Sequence, residues 1–379
     1  MRRWIFLLLA ALLLSPGVRA VSAAPEDAFD LTADAAVLME PETGTVLYEK
    51  DAHGHHSPAS VTKIMTLLLI AEAVDAGTIR MEDSVTASSA AASMGGSQIW
   101  LEEGESLTVD EMIKCIAVAS ANDCAVAMAE KLAGSERTFV QRMNERAGEL
   151  GMKDTHFLNC TGLTEDEDHY TSAFDIALMS RELLKHAWIT DYTTVWMDEV
   201  RGGQFGLTNT NKLVRFYDGC TGLKTGYTST AMYCLSATAE RNGESYIAVV
   251  MHAPSSDQRN QDARALLDYA FASYTLWRPE ANVTLPPVPV KLGAAESIQP
   301  VLQSDSAVLL DRDGGEAKWE IDLPEELAAP IRAGNTIGTL TVKNDKGTAA
   351  EIAILAPENV EPLTIWDLWL RILTIKTTS

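Results

Sequence analysis

Ser60 and Lys63 stand three residues apart, an S-x-x-K spacing that puts a hydroxyl and an amine on one face of a helix. A serine hydroxyl becomes a nucleophile only when a base takes its proton. Lysine can act as that base where burial or a nearby positive charge lowers its pKa. Lys63 is followed by Ile64, Met65 and Leu67, an apolar setting of that kind. In the first turn of a helix Ser60 would also have an unpaired backbone N–H and the positive end of the helix dipole, both suited to an oxyanion. The chemistry is covalent acyl transfer. Alone the pair says little, since about one or two S-x-x-K occur by chance in a chain this long.

Two further patterns follow in order. Ser120, Ala121 and Asn122 form S-x-N, a pattern expected about once by chance, and Lys224, Thr225 and Gly226 form K-T-G, expected in about one such chain in ten. A lysine is a natural partner for a carboxylate. A glycine beside it lets another backbone or a ligand approach closely.

The elements that must position these groups read as α+β. Residues 36–40 and 45–49 are short strand-like runs around the turn Pro41–Gly44, an opening hairpin. A buried helix follows, with Ser57 as N-cap, Pro58 at its first position and apolar residues from Ile64 to Val74. Helical spacing recurs over 107–133, with S-x-N near the middle of this region, and over 173–187. Strands are expected at 220–225, 233–238 and 245–251, with K-T-G at the end of the first, and a helix at 258–274. An antiparallel sheet flanked by helices results. Beyond Arg278, the prolines 286, 287 and 289 lead into short alternating strands such as 336–342 and 351–355, a small all-β domain.

The three patterns in this order and context resemble the penicillin-recognising serine enzymes, the β-lactamase and transpeptidase-like fold. The longer stretches 58–66, 120–130, 159–163, 209–213 and 222–228 resemble the low-molecular-weight penicillin-binding proteins that are serine-type D-Ala-D-Ala carboxypeptidases. The resemblance runs from about Ala35 to Tyr274 and more loosely beyond. It implies removal of the terminal D-Ala from peptidoglycan pentapeptide stems, with β-lactams as covalent inhibitors.

Carried over residue by residue, the resemblance implies that Ser60 attacks the D-Ala-D-Ala carbonyl and Lys63 accepts its proton. Ser120 would relay a proton to the leaving D-alanine and Asn122 would hold the peptide. Lys224 and Thr225 would bind the terminal carboxylate. Gly226 would permit close approach, and the backbone N–H of Tyr227 would be the second oxyanion donor at a position where histidine occurs in some relatives. Lys224 would also help to lower the pKa of Lys63. Water then frees the acyl-enzyme, so no metal or organic cofactor is expected.

The charge excludes one class of partner, and the N-terminal pattern points to export. With 30 Lys+Arg against 53 Asp+Glu, the formal net charge of −23 excludes a nucleic-acid partner. Arg2 and Arg3, the apolar run 4–14 and the small residues Val21, Ser22 and Ala23 read as a signal peptide over 1–23. The catalytic domain is then 24–278 and the β-rich domain 279–361. In 362–379, Thr364, Asp367, Arg371 and Thr374 fall on one narrow polar stripe. An apolar surround of this kind marks an amphipathic helix for peripheral membrane contact on the outer face of the cytoplasmic membrane, with docking and dimerisation as alternatives. Once residues 1–23 are removed, only this segment carries more basic than acidic groups, Arg371 and Lys376 against Asp367.

Competing readings are weaker. His53, His55 and His56 lack a carboxylate or cysteine pattern for a metal. The five cysteines include Cys220 and Cys234, which flank the expected hairpin; a cross-strand bond is open, with buried free thiols the blander state. Glu165–Asp168 is a solvated acidic loop without the E-x-x-L-N of a class A β-lactamase, so a β-lactam should acylate Ser60 and leave slowly. A catalytically inactive peptidoglycan-binding protein would not need all three motifs intact.

Overall fold

The computed structural model describes residues 23–279, 283–303, 307–367 and 369. The chain divides into two compact units, one spanning Ser22–Ser273 and the other continuing from Tyr274.

The first unit is built on a five-stranded antiparallel sheet. Its strands are β1 (Ala35–Met39), β2 (Val46–Lys50), β3 (Cys220–Thr228), β4 (Met232–Arg241) and β5 (Glu244–Ala253), in the order β2-β1-β5-β4-β3. Every residue of β1 is buried, which requires cover on both faces. Ala35, Val37 and Met39 and, opposite them on β5, Ile247, Val249 and Met251 face the large core. That core also holds the helices α1 (Lys63–Asp75), α2 (Val109–Val118), α3 (Asn122–Ala133), α4 (Glu136–Glu149) and α5 (Ala173–Leu184). Helix α6 (Ser256–Ser273) packs on β4 and β5. Its buried Asp262 accepts the N–H groups of Thr32 and Ala33, tying the start of the unit to its last helix.

Three local differences from the sequence expectation matter for the site. The expected helix start at Ser57 and Pro58 is a 3-10 turn over Ala59–Thr62, preceded by Pro58 without a side-chain cap, and the α-helix begins at Lys63. Half-buried Ser60 and buried Lys63 thus belong to a tighter turn, in which residues i and i+3 eclipse and the spacing aligns them more closely than an α-helix would. The expected helix over 107–133 breaks into α2 and α3, because Ser120 adopts a left-handed backbone with φ +61°. Finally, β3 continues to Thr228, so K-T-G lies within the strand and not at its end.

All five cysteines are buried free thiols. Cys220 pairs with Ala239 and Cys234 with Gly226 across β3 and β4, which keeps the two cysteines far apart in register and explains the lack of a bond.

The second unit is all-β among its described strands. Strands β6 (Tyr274–Trp277) and β10 (Val308–Asp311) form one pair, and β7 (Val288–Lys291), β8 (Ser297–Ile298) and β12 (Leu327–Ala328) form a small sheet. Strands β9 (Val301–Leu302), β11 (Lys318–Asp322), β13 (Thr336–Asn344) and β14 (Gly347–Leu355) form a four-stranded sheet ordered β9-β14-β13-β11. Val308, Leu310, Leu340, Val342, Ile352 and Ile354 pack its core. Thr364 and Asp367 then form a reciprocal cap at the start of the tail, with Ile365 and Trp366 exposed. Residues 1–22 of the expected signal peptide (1–23), and residues 368 and 370–379 of the expected tail helix (362–379), lie outside the described residues.

Candidate active site

Lys63 is completely buried, and its Nζ lies 2.9 Å from Ser60 Oγ and 2.9 Å from the Thr161 carbonyl, to both of which it donates. Burial pulls its pKa down to about 7, although Cys160 and Asp123 oppose the shift. Near neutral pH a large part of the population therefore carries an amine lone pair against a serine hydroxyl. That is the arrangement a serine nucleophile needs.

The loop 159–163 holds this pair from one side. Asn159 Oδ1 accepts the N–H groups of Thr161 and Gly162, which turns the Thr161 carbonyl toward Lys63. Gly162 has φ +76°, and a Cβ there would sit 1.7 Å from the Ala59 carbonyl oxygen, so no other residue fits. Thr66 Oγ1 donates to the Cys160 carbonyl at 2.6 Å. Behind the turn, buried His169 accepts the Leu158 N–H at Nδ1, which leaves the proton on Nε2 to be donated to Thr62 Oγ1 at 2.9 Å. Burial lowers the His169 pKa to about 4, so it stays neutral and serves as a brace.

K-T-G closes the site from the edge strand β3. A Cβ on Gly226 would meet the Pro58 carbonyl oxygen at 2.6 Å and the Ser60 backbone nitrogen at 3.1 Å, so this glycine is what allows β3 to lie against the turn carrying Ser60. Lys224 is buried and its pKa falls well below the usual lysine value, first by burial and then by the positive charges of Lys63 and Arg259. Burial is the largest cause at both lysines, and the positive charge of Lys63 adds to the depression at Lys224. Thr225 Oγ1 donates to Thr210 Oγ1 at 2.7 Å, and the Thr210 N–H donates to the Val118 carbonyl at 3.1 Å, bridging β3 to the end of α2. Tyr227 is exposed and stacks on Tyr233 with centroids 4.5 Å apart.

Ser120 and Asn122 occupy the break between α2 and α3. Both are buried, and Ser120 Oγ and Asn122 Oδ1 have no hydrogen-bond partner among the described residues. Orphaned buried polar atoms are costly, and such atoms in a cleft are available to a bound ligand. The Asn122 amide donates to the Gly95 carbonyl at 2.7 Å. Next to it, the buried Asp123 carboxylate accepts the N–H groups of Ile99, Leu101 and Cys124.

Sequence reasoning assigned no role to Thr161, Thr210, Asp123 and Arg259. The stretches 159–163 and 209–213 carried signals through their turn-forming asparagines; nothing marked Arg259, which lies in α6 and is buried with its guanidinium on Asn260 Oδ1. Glu165 accepts a hydrogen bond from Ser229 Oγ at 2.5 Å, which joins the acidic loop to the β3–β4 turn. Of the histidines weighed as metal ligands, His53 pairs with Asp154 and His56 with Asp51. No group of three His, Cys, Asp or Glu among the described residues could hold a metal ion.

Residues 19–255 match the peptidase S11 family of D-alanyl-D-alanine carboxypeptidases. The chain belongs to this family. Residues 280–362 match the C-terminal domain of penicillin-binding protein 5. The D-alanyl-D-alanine carboxypeptidase DacF of Bacillus subtilis is 47% identical over 335 residues, covering 87% of this chain and 86% of its own. Penicillin-binding protein 5 of Haemophilus influenzae superposes with a TM-score of 0.77 at 26% identity, over 90% of this chain and all of that one. Penicillin-binding protein D2 of Listeria monocytogenes, in an ampicillin-bound form, gives a TM-score of 0.59 at 30% identity over 64% of this chain and 99% of that one. The protein is accordingly a serine-type D-Ala-D-Ala carboxypeptidase with the penicillin-binding serine-enzyme fold, followed by an all-β domain.

Proposed function

We propose that Ser60 attacks the carbonyl of the D-Ala-D-Ala bond at the end of a peptidoglycan pentapeptide stem, with Lys63 as the base. The 2.9 Å contact between their side chains, together with the Lys63 pKa near 7, carries this reading. The proton passes from Ser60 to Lys63. Ser120 relays a proton to the amine of the leaving D-alanine as the carbon–nitrogen bond breaks. The backbone N–H groups of Ser60 and Tyr227 hold the oxyanion. Asn122 binds the peptide on the acyl side, and Lys224 and Thr225 bind the terminal carboxylate, whose negative charge offsets the desolvation and repulsion that depress Lys224. Water then attacks the acyl-enzyme and regenerates Ser60, without a metal or organic cofactor.

A β-lactam presents a strained amide and a carboxylate to the same groups, so it acylates Ser60 covalently. Glu165, engaged by Ser229, is not placed in that reaction, and the acyl-enzyme hydrolyses slowly. The substrate sits in the cell-wall space, which fits export by residues 1–23 and peripheral membrane contact by the tail, where Ile365, Trp366 and Trp369 are exposed. The catalytic domain then spans 24–278, the β-rich domain 279–361 and the anchor 362–379.

The test is release of D-alanine from a pentapeptide alongside labelling by a fluorescent penicillin. Wild type should do both and Ser60→Ala neither. Labelling of Ser60→Ala at the wild-type rate would remove the nucleophile assignment, and rapid hydrolysis of a chromogenic β-lactam would turn the reading toward a β-lactamase. Deleting 362–379 should release the protein from membranes and leave hydrolysis of small peptides intact.

A further inference from the structure

We propose that Trp100 is a specificity-determining residue of this carboxypeptidase, an apolar shelf beside Asn122 that receives the long aliphatic side chain at the third position of a stem peptide.

Trp100 is 64% exposed, yet it is held in a left-handed backbone, φ +56°, that a bulky aromatic residue rarely adopts. The surroundings impose this conformation from both sides. The N–H groups of Ile99 and Leu101 donate to the buried Asp123 carboxylate at 3.0 and 3.1 Å. From the other direction Arg201 donates to the carbonyls of Ile99 and Trp100 at 2.8 and 3.2 Å, while Glu105 anchors the Arg201 guanidinium. The indole itself meets Phe205 edge-on at 5.8 Å.

The same loop is tied to the site. Asn122 donates its backbone N–H to the Ser97 carbonyl and its side-chain amide to the Gly95 carbonyl, each at 2.7 Å. A Cβ on Gly96 would touch Asn122 Nδ2 at 2.9 Å and Leu163 Cδ2 at 3.4 Å, so the 44%-exposed Leu163 borders this corner as well. An exposed ring held in an unfavourable backbone conformation by so rigid a support is suited to recognition.

The occupant follows from the direction of the substrate. With Lys224 and Thr225 on its terminal carboxylate, Asn122 meets the acyl side of the scissile bond, and the chain leaves the site past the residues Asn122 holds. Each D-alanine offers one methyl group. The next group with apolar area is the side chain of the third residue, whose methylenes can lie on an indole while a polar head reaches water.

The inference rests on Asn122 lining the substrate cleft. Its test compares release of D-alanine from three peptides ending in D-Ala-D-Ala, with alanine, lysine or Nε-acetyl-lysine at the third position. Wild type should favour both long side chains about tenfold in kcat/KM, the scale of a few methylenes in an apolar contact. Trp100→Ala should abolish that preference through KM and leave the alanine peptide and penicillin labelling unchanged, and Trp100→Phe should keep most of it. An equal loss on all three peptides, no loss on any, or a wild-type preference for the free amine alone would overturn the proposal. If Trp100→Ala does not label with penicillin, Trp100→Gln takes its place in the same comparison. Asn122→Ala separates the underlying reading, because it should slow all three peptides together; if it leaves them unchanged, the placement of Asn122 in the cleft fails whatever Trp100 does.

Discussion

The turn that carries Ser60 and the turn that carries Ser120 are built on opposite terms. On the Ser60 side the polar groups are partnered: Lys63 reaches both Ser60 and Thr161, Thr62 meets His169, and Thr66 meets the Cys160 carbonyl. On the Ser120 side Ser120 Oγ and Asn122 Oδ1 are buried without partners among the described residues. The first side has its reacting groups in contact before substrate arrives, whereas the second carries buried polar atoms that the protein leaves unpaired and a ligand can engage. In the proposed mechanism, nucleophile activation and substrate recognition are divided between these two turns.

The largest expected effect comes from removing the reacting atom. Ser60→Ala should lower kcat by about 10⁴-fold or more with little change in melting temperature, measured by D-alanine release and calorimetry. Lys63→Met should cost about 10³-fold in kcat and yet raise the melting temperature by about 2–4 °C, since it removes an amine whose charged form burial disfavours. A melting temperature that falls instead would show that the two hydrogen bonds of Lys63 outweigh its desolvation. Gly226→Ala should lower acylation by about 10²-fold, because the added methyl pushes β3 away from the Ser60 turn.

The smallest effects separate the two sides most cleanly. Thr62→Val leaves the His169 Nε2–H without an acceptor and should destabilise the protein by about 1–2 kcal/mol in denaturant unfolding. Ser120→Ala removes an orphaned hydroxyl at the same backbone angle and should stabilise it by up to about 1 kcal/mol while slowing D-alanine release. Equal signs for the two substitutions would erase the distinction between the sides.

Much of the site was legible before the fold was known, because S-x-x-K, S-x-N and K-T-G are local patterns whose order is informative. What stayed hidden is long-range. The Thr161 carbonyl acts on Lys63 from 98 positions away, and the charge of Arg259 acts on Lys224 from a helix in which the sequence marked no site residue. The break at Ser120 was hidden for a different reason: α2 and α3 continue one another in periodicity, and a left-handed serine leaves no compositional mark. The 3-10 turn under Ser60 carries the signature of a helix start, and only packing against Gly162 and Gly226 tightens it.

The central claim is that a buried, neutral Lys63 activates Ser60. The most direct measurement is the acylation rate of Ser60 by a fluorescent penicillin between pH 5 and 9. Because the base must be unprotonated, the rate should be low in acid and rise with pH through a single ionisation near the Lys63 pKa of about 7. A rate independent of pH across that interval, or a midpoint close to the ordinary lysine value, would contradict it.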